Sequence, residues 1–299
     1  MVNPKKQICW AVAGAVVVLL AGVLSVAQQK PDMDPQELVR RAAKNEIKAN
    51  DYHQYFMYRD HVESKNHSVT KEVIETPQGG LASTITINGQ PLTAEQRDKE
   101  NRKLEKFAND SEARRKALEA SKEDDQRDEL MLTSLPDAFL YTYAGTQPGP
   151  NGEELVHLTF RPNPKFSPPN HETRVYEGMQ GDILIDRKAM RIAKIDGTLF
   201  KDVDFGWGIL GRLYKGGKFY IEQRDVAGGR WETVRQTLEF NGKILMVKPL
   251  SIYSTETATD FRPVPTNLTV AQALELLHKS DETVAQNGGS AKEADSNRR

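Results

Sequence analysis

Residues 205–223 read FGWGILGRLYKGGKFYIEQ. Gly206, Gly208 and Gly211 spell G-x-G-x-x-G, and Asp225 follows nineteen residues after the first glycine. Read literally, this is the fingerprint of a dinucleotide-binding loop. Its context excludes that reading. Such a loop works because a helix starts beside it and aims backbone N–H groups at a pyrophosphate, and the crossover needs a dozen or more residues. Here only Arg212 to Lys215 separate Gly211 from the Gly216-Gly217 pair, and KFYIEQRDV then resumes a strand. No βαβ unit fits. The glycines read as a tight loop carrying Trp207, Ile209 and Leu210 between sheet edges, which decides for an antiparallel sheet.

Outward from this stretch, AFLYTYA (138–144), ELVHLTF (154–160), TRVYEGMQGDILID (173–186) and MRIAKIDGTLFKDV (190–203) read as strands. So do KFYIEQRDV (218–226), RWETVRQTLEF (230–240) and KILMVKPLSIY (243–253). They are rich in β-branched and aromatic residues. Turn residues separate them at Gln147–Gly152, Asp186–Ala189, Gly216-Gly217, Ala227–Gly229 and Asn241-Gly242. Three earlier segments, YHQYFMYRDHVES (52–64), SVTKEVIET (68–76) and ASTITIN (82–88), are strand-like too. In the first, Phe56, Tyr58 and Val62 share one face. Regular short strands predict a large antiparallel sheet, strongly curved or closed as a barrel.

Helices flank and interrupt it. Leu38, Val39, Ala42, Ala43 and Ile47 make an apolar stripe over 35–48, with Asp34 as cap, Pro35 at the first turn and Glu37 able to close a capping box. Thr93 and Gln96 fit a capping box that opens a helical stretch to about Leu132. Its interior is dense in charge, and Leu104, Phe107 and Leu118 are nearly its only large apolar residues. Such a helix has little to bury and reads as a solvated arm or insertion (93–132), with a break near Asn109-Asp110-Ser111. TNLTVAQALELLHK gives a last helix capped by Thr269 and Gln272, and residues 280–299 read as a disordered tail.

The first 27 residues are a targeting segment. MVNPKK carries two lysines, and Ile8 to Ala27 is a 20-residue run without charge that ends in Ser-Val-Ala. That is the layout of a signal peptide cleaved after Ala27, or of an uncleaved transmembrane anchor over 8–27. Either predicts export across the inner membrane to the periplasm, with residues 28–279 as one domain. Cys9, the only cysteine, lies in this segment, so the exported part has no disulfide and no thiolate site.

The 299 residues carry a net charge of −1, and losing residues 1–27, with two Lys and no acid, makes it −3. Nothing there predicts a nucleic-acid partner. Hydrophobic residues are 38% and charged ones 28%, with a mean hydropathy of −0.61. No P-loop and no G-x-S-x-G elbow is present, and no HExxH spacing occurs. His61 and His67 lie near Asp60 and Glu63, but His53 and His61 fall about 26 Å apart at strand rise, and they read as ordinary strand residues. The expectation is a non-enzymatic protein with no cofactor and no metal. The apolar and aromatic strand residues remain: Phe139, Tyr141, Ile183, Ile185, Phe219, Ile221 and Trp231, with Leu238 and Phe240. They either fill the core of the curved sheet or line a hydrophobic cavity for an apolar ligand. The proline-stiffened loop RPNPKFSPPN (161–170) reads as a rigid surface loop, or as one presenting Phe166 at a barrel mouth.

The hairpin GDILIDRKAMRIAKIDGTL (181–199), with LTFRPNPKF and FGWGILGRLYKGGKFYIEQ, resembles units in the periplasmic outer-membrane lipoprotein-sorting family, LolA and LolB. The resemblance spans roughly 35–262 apart from the charged arm. It implies an unclosed β-barrel with helices across its opening and a hydrophobic cavity for acyl chains. The fold expected is therefore α+β: an open, LolA-like barrel with an N-terminal helix, a charged helical insertion and a short C-terminal helix. The partner implied is a lipid or an acylated protein. The alternative is an envelope scaffold or sensor that binds a protein partner through the charged arm.

Overall fold

A computed structural model describes residues 33–49, 54–206, 209–245 and 247–280. The expected signal or anchor with Cys9, His53, Trp207, Gly208 and the tail beyond 280 lie outside the described residues. Among the described residues no helix is long and apolar enough to cross a membrane.

The chain opens with α1 (Pro35–Ala49), then β1 (Tyr55–Ser64), β2 (His67–Ile74), β3 (Leu81–Ile87) and β4 (Gln90–Pro91). The helices α2 (Ala94–Asn109) and α3 (Ser111–Ala138) follow. Next come β5 (Phe139–Pro148), β6 (Glu154–Pro162), a 3-10 turn (Thr173–Gly178), β7 (Met179–Asp186) and β8 (Arg191–Leu199). The last strands are β9 (Val203–Phe205), β10 (Gly211–Leu213), β11 (Lys218–Asp225), β12 (Trp231–Ile244) and β13 (Lys248–Val264). A closing helix, α4, covers 270–280. All thirteen strands join one sheet in the order β4-β3-β2-β1-β13-β12-β11-β8-β7-β6-β5, with the β9–β10 hairpin attached to β12 through β10. Every pairing is antiparallel. The end strands β4 and β5 do not pair, so the fold is α+β with a large open antiparallel sheet.

The helices start and stop where their end residues dictate. Thr93 and Gln96 form the full capping box. Thr269 and Gln272 do the same for α4. Asp34 accepts from Gln36 N at 2.9 Å, but Glu37 closes no box and pairs with Arg41 at 2.8 Å instead. Asp110 ends α2 by donating its N–H to the carbonyls of Lys106 and Phe107, and starts α3 by accepting from Ala113 N. The break therefore lies where the sequence put it. α3 runs beyond Leu132 to Ala138, where Ser134, Leu135, Pro136 and Ala138 are buried, and α2 buries Leu104 and Ala108, so the expected arm over 93–132 is not solvated throughout.

Several strand boundaries differ from expectation: the strand read over 190–203 ends at Leu199, with Val203 starting β9, and the one read over 243–253 is divided between β12 and β13, which runs on to Val264. Asn241-Gly242 is not a turn: both residues pair within β12, opposite Ser251 and Leu250. A Cβ on Gly242 would lie 2.1 Å from the Arg212 carbonyl oxygen, so this glycine serves the close approach of β10. The reversal falls between β12 and β13, and Leu245 takes the left-handed conformation (φ 49°). Residues 173–178 form a 3-10 turn and not the start of a strand. Thr173 N and Oγ1 both donate to Asn170 Oδ1, at 2.9 and 2.8 Å, which turns the chain and sends Tyr176 into the core.

Two main cores result. The larger joins Leu38, Val39 and Ala42 of α1 and Leu135 of α3 to Phe139, Leu158, Ile183, Ile185, Ile192 and Leu199. The second joins Met57, Ile74 and Leu81 to Leu104 and Ala108 of α2 and Ala273 and Leu277 of α4. The register traces Ile183 to Ile195, Ile221, Gln236, Glu256 and Val62 across the sheet. Met57 stands five positions from Val62, hence on the other face. The two cores lie on opposite faces of one sheet, one towards each end.

Candidate functional site

Six of the seven residues expected to line a cavity lie on the face of the larger core. Phe139, Ile183 and Ile185 are each no more than 1% exposed and fill the space beneath α1. The Phe139 ring lies 4.7 Å from that of Phe160 and 5.0 Å from that of Tyr176. Tyr141 is half-buried at the rim and donates to the Leu135 carbonyl at 2.8 Å. Burial holds its phenol well above the ordinary range. Phe219 sits on the same rim, and Ile221 is half-buried opposite Ile195. Trp231 stands apart, packed with Leu155, Leu184 and Ala193, with the Arg191 guanidinium 5.9 Å from its ring centroid. It lies seven positions from Leu238 across a register shift between β11 and β12, so strand alternation alone does not align the two.

From Phe219 the apolar surface continues past the ground that the helices cover. The helices pack chiefly on β8 and β5 (α1), β3 (α2) and β5 (α3). Phe219 pairs with Leu238, Phe240 with Ile252, and Leu213 with Gly242, so these side chains share the core face. Leu213, Phe219 and Leu238 are half-buried, and Ile252 is 36% exposed. The result is a partly open apolar strip leading out of the filled core. In the loop 161–170, Phe166 packs half-buried against the core, and Pro168, Pro169 and Asn170 face Gly206 across a small hollow.

A cleft of about 970 Å³ lies elsewhere and is charged. It lies at the C-terminal end of α1, lined by Lys48, Asp186, Lys188, Arg191, Asp225 and Trp231 among others. Arg191, which lines it, belongs to a buried ion pair missed in the sequence. Glu46 accepts from Arg191 Nε and Nη2 at 2.8 and 2.6 Å, and from Ile192 N at 2.8 Å. The signal was present, because Glu46 occupies the buried stripe of α1 with Ala42, Ala43 and Ala49. A carboxylate on such a stripe needs a buried cation.

A smaller hollow groups Tyr58, Glu75, Glu232, Gln236, Glu256 and Phe261. Phe261 stacks on Tyr58 with ring centroids 5.1 Å apart. Desolvation raises the carboxyl of Glu75, aided by the charge of Glu232. Desolvation also raises Asp60 and Glu256, and the proximity of Asp60 raises Glu256 further. His157 bonds to Asp182 at 2.6 Å and His61 to Thr70 at 2.9 Å. Among the described residues no group of three or more His, Cys, Asp or Glu could hold a metal ion.

The glycine pattern is resolved as a hairpin. β9 and β10 pair antiparallel, Phe205 opposite Gly211, and Gly211 opens a strand where the fingerprint requires a helix. Asp225 accepts from Ala227 N and Gly229 N at 3.1 and 2.7 Å, which is turn chemistry.

No protein-family model matches the chain, and no curated protein is similar to it. One similar solved structure is a DUF1329 family protein from Desulfovibrio piger, 9% identical, covering 80% of this chain and 97% of its own, with a TM-score of 0.30. The two folds superpose too loosely for that neighbour to carry an argument about this chain.

Proposed function

We propose that this chain is an exported protein of the bacterial envelope that holds an acyl chain, of a lipid or of an acylated protein, without catalysing a reaction on it. The partly open apolar strip of Leu213, Phe219, Leu238 and Ile252 carries this reading. Such a strip is apolar, continuous with a core and partly open, which suits a flexible hydrocarbon. The expected cavity is thereby moved: the acyl chain lies beyond Phe139, Ile183 and Ile185, against Phe219 and Ile221. The test is native mass spectrometry of the protein purified from a bacterial envelope without detergent, followed by organic extraction. A stoichiometric lipid adduct, lost in Leu238→Gln, is expected. A clean apo mass, with no uptake of added phospholipid or acylated peptide, overturns the reading.

The second reading keeps the envelope location and gives the binding to the arm. Residues 114–129 of α3 are all half-buried or exposed, and within-helix ion pairs such as Lys116–Glu112 and Arg115–Glu119 support it. Deleting the arm should then abolish capture of a protein partner; capture that survives rejects it.

A further inference from the structure

The most exposed large apolar side chains are not on the strip. Val247 is 86% exposed, Leu245 63%, Ile209 56% and Leu210 50%. They belong to two turns that tertiary structure sets side by side. β10 pairs with β12, Gly211 opposite Ile244, and Leu245 N donates to the Leu210 carbonyl at 3.2 Å. The β9–β10 and β12–β13 hairpins therefore end together in one apolar tip. Turns ordinarily carry Gly, Asn, Asp or Ser. Here Leu245 holds a left-handed conformation (φ 49°) that a branched apolar side chain disfavours, and it still points a large hydrophobe into solvent.

The surroundings are basic. Residues 200–216 and 241–250 carry Lys201, Arg212, Lys215, Lys243 and Lys248 against Asp202 and Asp204, a balance of +3 in a chain of −1. Both acids are already engaged: Arg212 is bidentate on Asp204 and reaches Asp202 at 3.8 Å. Lys243 and Lys248 flank the β12–β13 turn, while Lys201 and Lys215 lie at the base of the three-residue β9–β10 hairpin, roughly 10 Å behind its tip at strand rise. Lysine is depleted at protein–protein interfaces. It is favoured at membrane surfaces, where the stem lies along apolar material and the ammonium reaches the phosphates.

We propose that this double-hairpin tip, Ile209, Leu210, Leu245 and Val247 within a collar of lysines, docks the protein onto an anionic lipid bilayer. The apolar side chains enter the boundary between headgroups and acyl chains, and the lysines contact lipid phosphates. This goes beyond acyl-chain holding and does not depend on it: a protein that retains no lipid still docks through the tip, and one that retains lipid need not.

The test reads the tip itself, so that residues 8–27 do not confuse it. In the full chain with Cys9→Ser, Val247→Cys carries an environment-sensitive fluorophore, and Thr259→Cys, at the far end of β13, serves as the reference site. Vesicles of phosphatidylcholine alone, and of phosphatidylcholine with phosphatidylglycerol, are then added. The label at 247 should brighten and shift to the blue with the anionic vesicles, and the label at 259 should not. Lys243→Gln and Lys248→Gln should each weaken the response roughly fivefold, raised salt should weaken it further, and Ile209→Glu with Leu210→Glu should abolish it with the thermal midpoint unchanged. No response at 247, an equal response at both sites, or an equal response to neutral vesicles overturns the proposal.

Discussion

Glu46 and Arg191 form a buried ion pair at the end of α1. The side chains are 5% and 11% exposed and form a bidentate pair. Removing one partner leaves the other charge buried and uncompensated. Glu46→Ala should therefore cost about 3–5 kcal/mol, read as a lower urea midpoint at unchanged slope. Glu75 gives a prediction of opposite character. Burial holds its folded carboxyl above the ordinary value of 4.5, although it accepts from Phe56 N. The folded state then binds more protons than the unfolded one over the window between the two values. Its stabilising contribution is full below 4.5 and is lost as pH rises through the raised value. Thermal midpoints measured against pH should show this as a decline absent from Glu75→Gln; parallel curves for the two proteins would reject it.

At the scale of elements, α2 and α3 are adjacent helices with different physics. α2 buries Leu104, 4% exposed, against Ile74 and Leu81. α3 buries nothing until Ser134. Leu104→Ala should cost about 2–5 kcal/mol through lost burial and the cavity left behind. Leu118→Ala, in the solvated part of α3, should change stability by less than about 0.5 kcal/mol. Chemical denaturation of the two variants side by side checks the contrast. Equal losses would mean that the arm is packed after all.

The whole molecule is one sheet stabilised from two sides. The α1–α3 layer covers one face near β5 and β8, and the α2–α4 layer covers the other near β1–β3. Buried side chains are concentrated where β6, β7 and β8 join the larger core. Amides of β7 and β8 should exchange with solvent by the slowest, global route, whereas the two-residue edge strand β4 should exchange by local opening. Hydrogen exchange followed by mass spectrometry distinguishes these. Equal protection at both places would show that the sheet opens as a single unit.

The sequence by itself determined the class of fold, because that information is local. Strand alternation, the capping pairs at Thr93–Gln96 and Thr269–Gln272, the break at Asp110 and the absence of a crossover helix after Gly211 all depend on residues within a few positions of one another. What it misassigned depended on distant partners. Gly242 looks like half of a turn until Arg212 is found 2.1 Å from where its Cβ would stand. Glu46 stands on the apolar stripe of α1, and only the fold brings Arg191 to it from β8. Trp231 shares the composition of Leu238 and Phe240 but packs in another cluster. The division of the helices between two faces, and the meeting of two hairpin ends in one apolar tip, were decided by tertiary structure alone. Alternation says which residues share a face of a strand; only the completed register of thirteen strands says which face is covered, and by what.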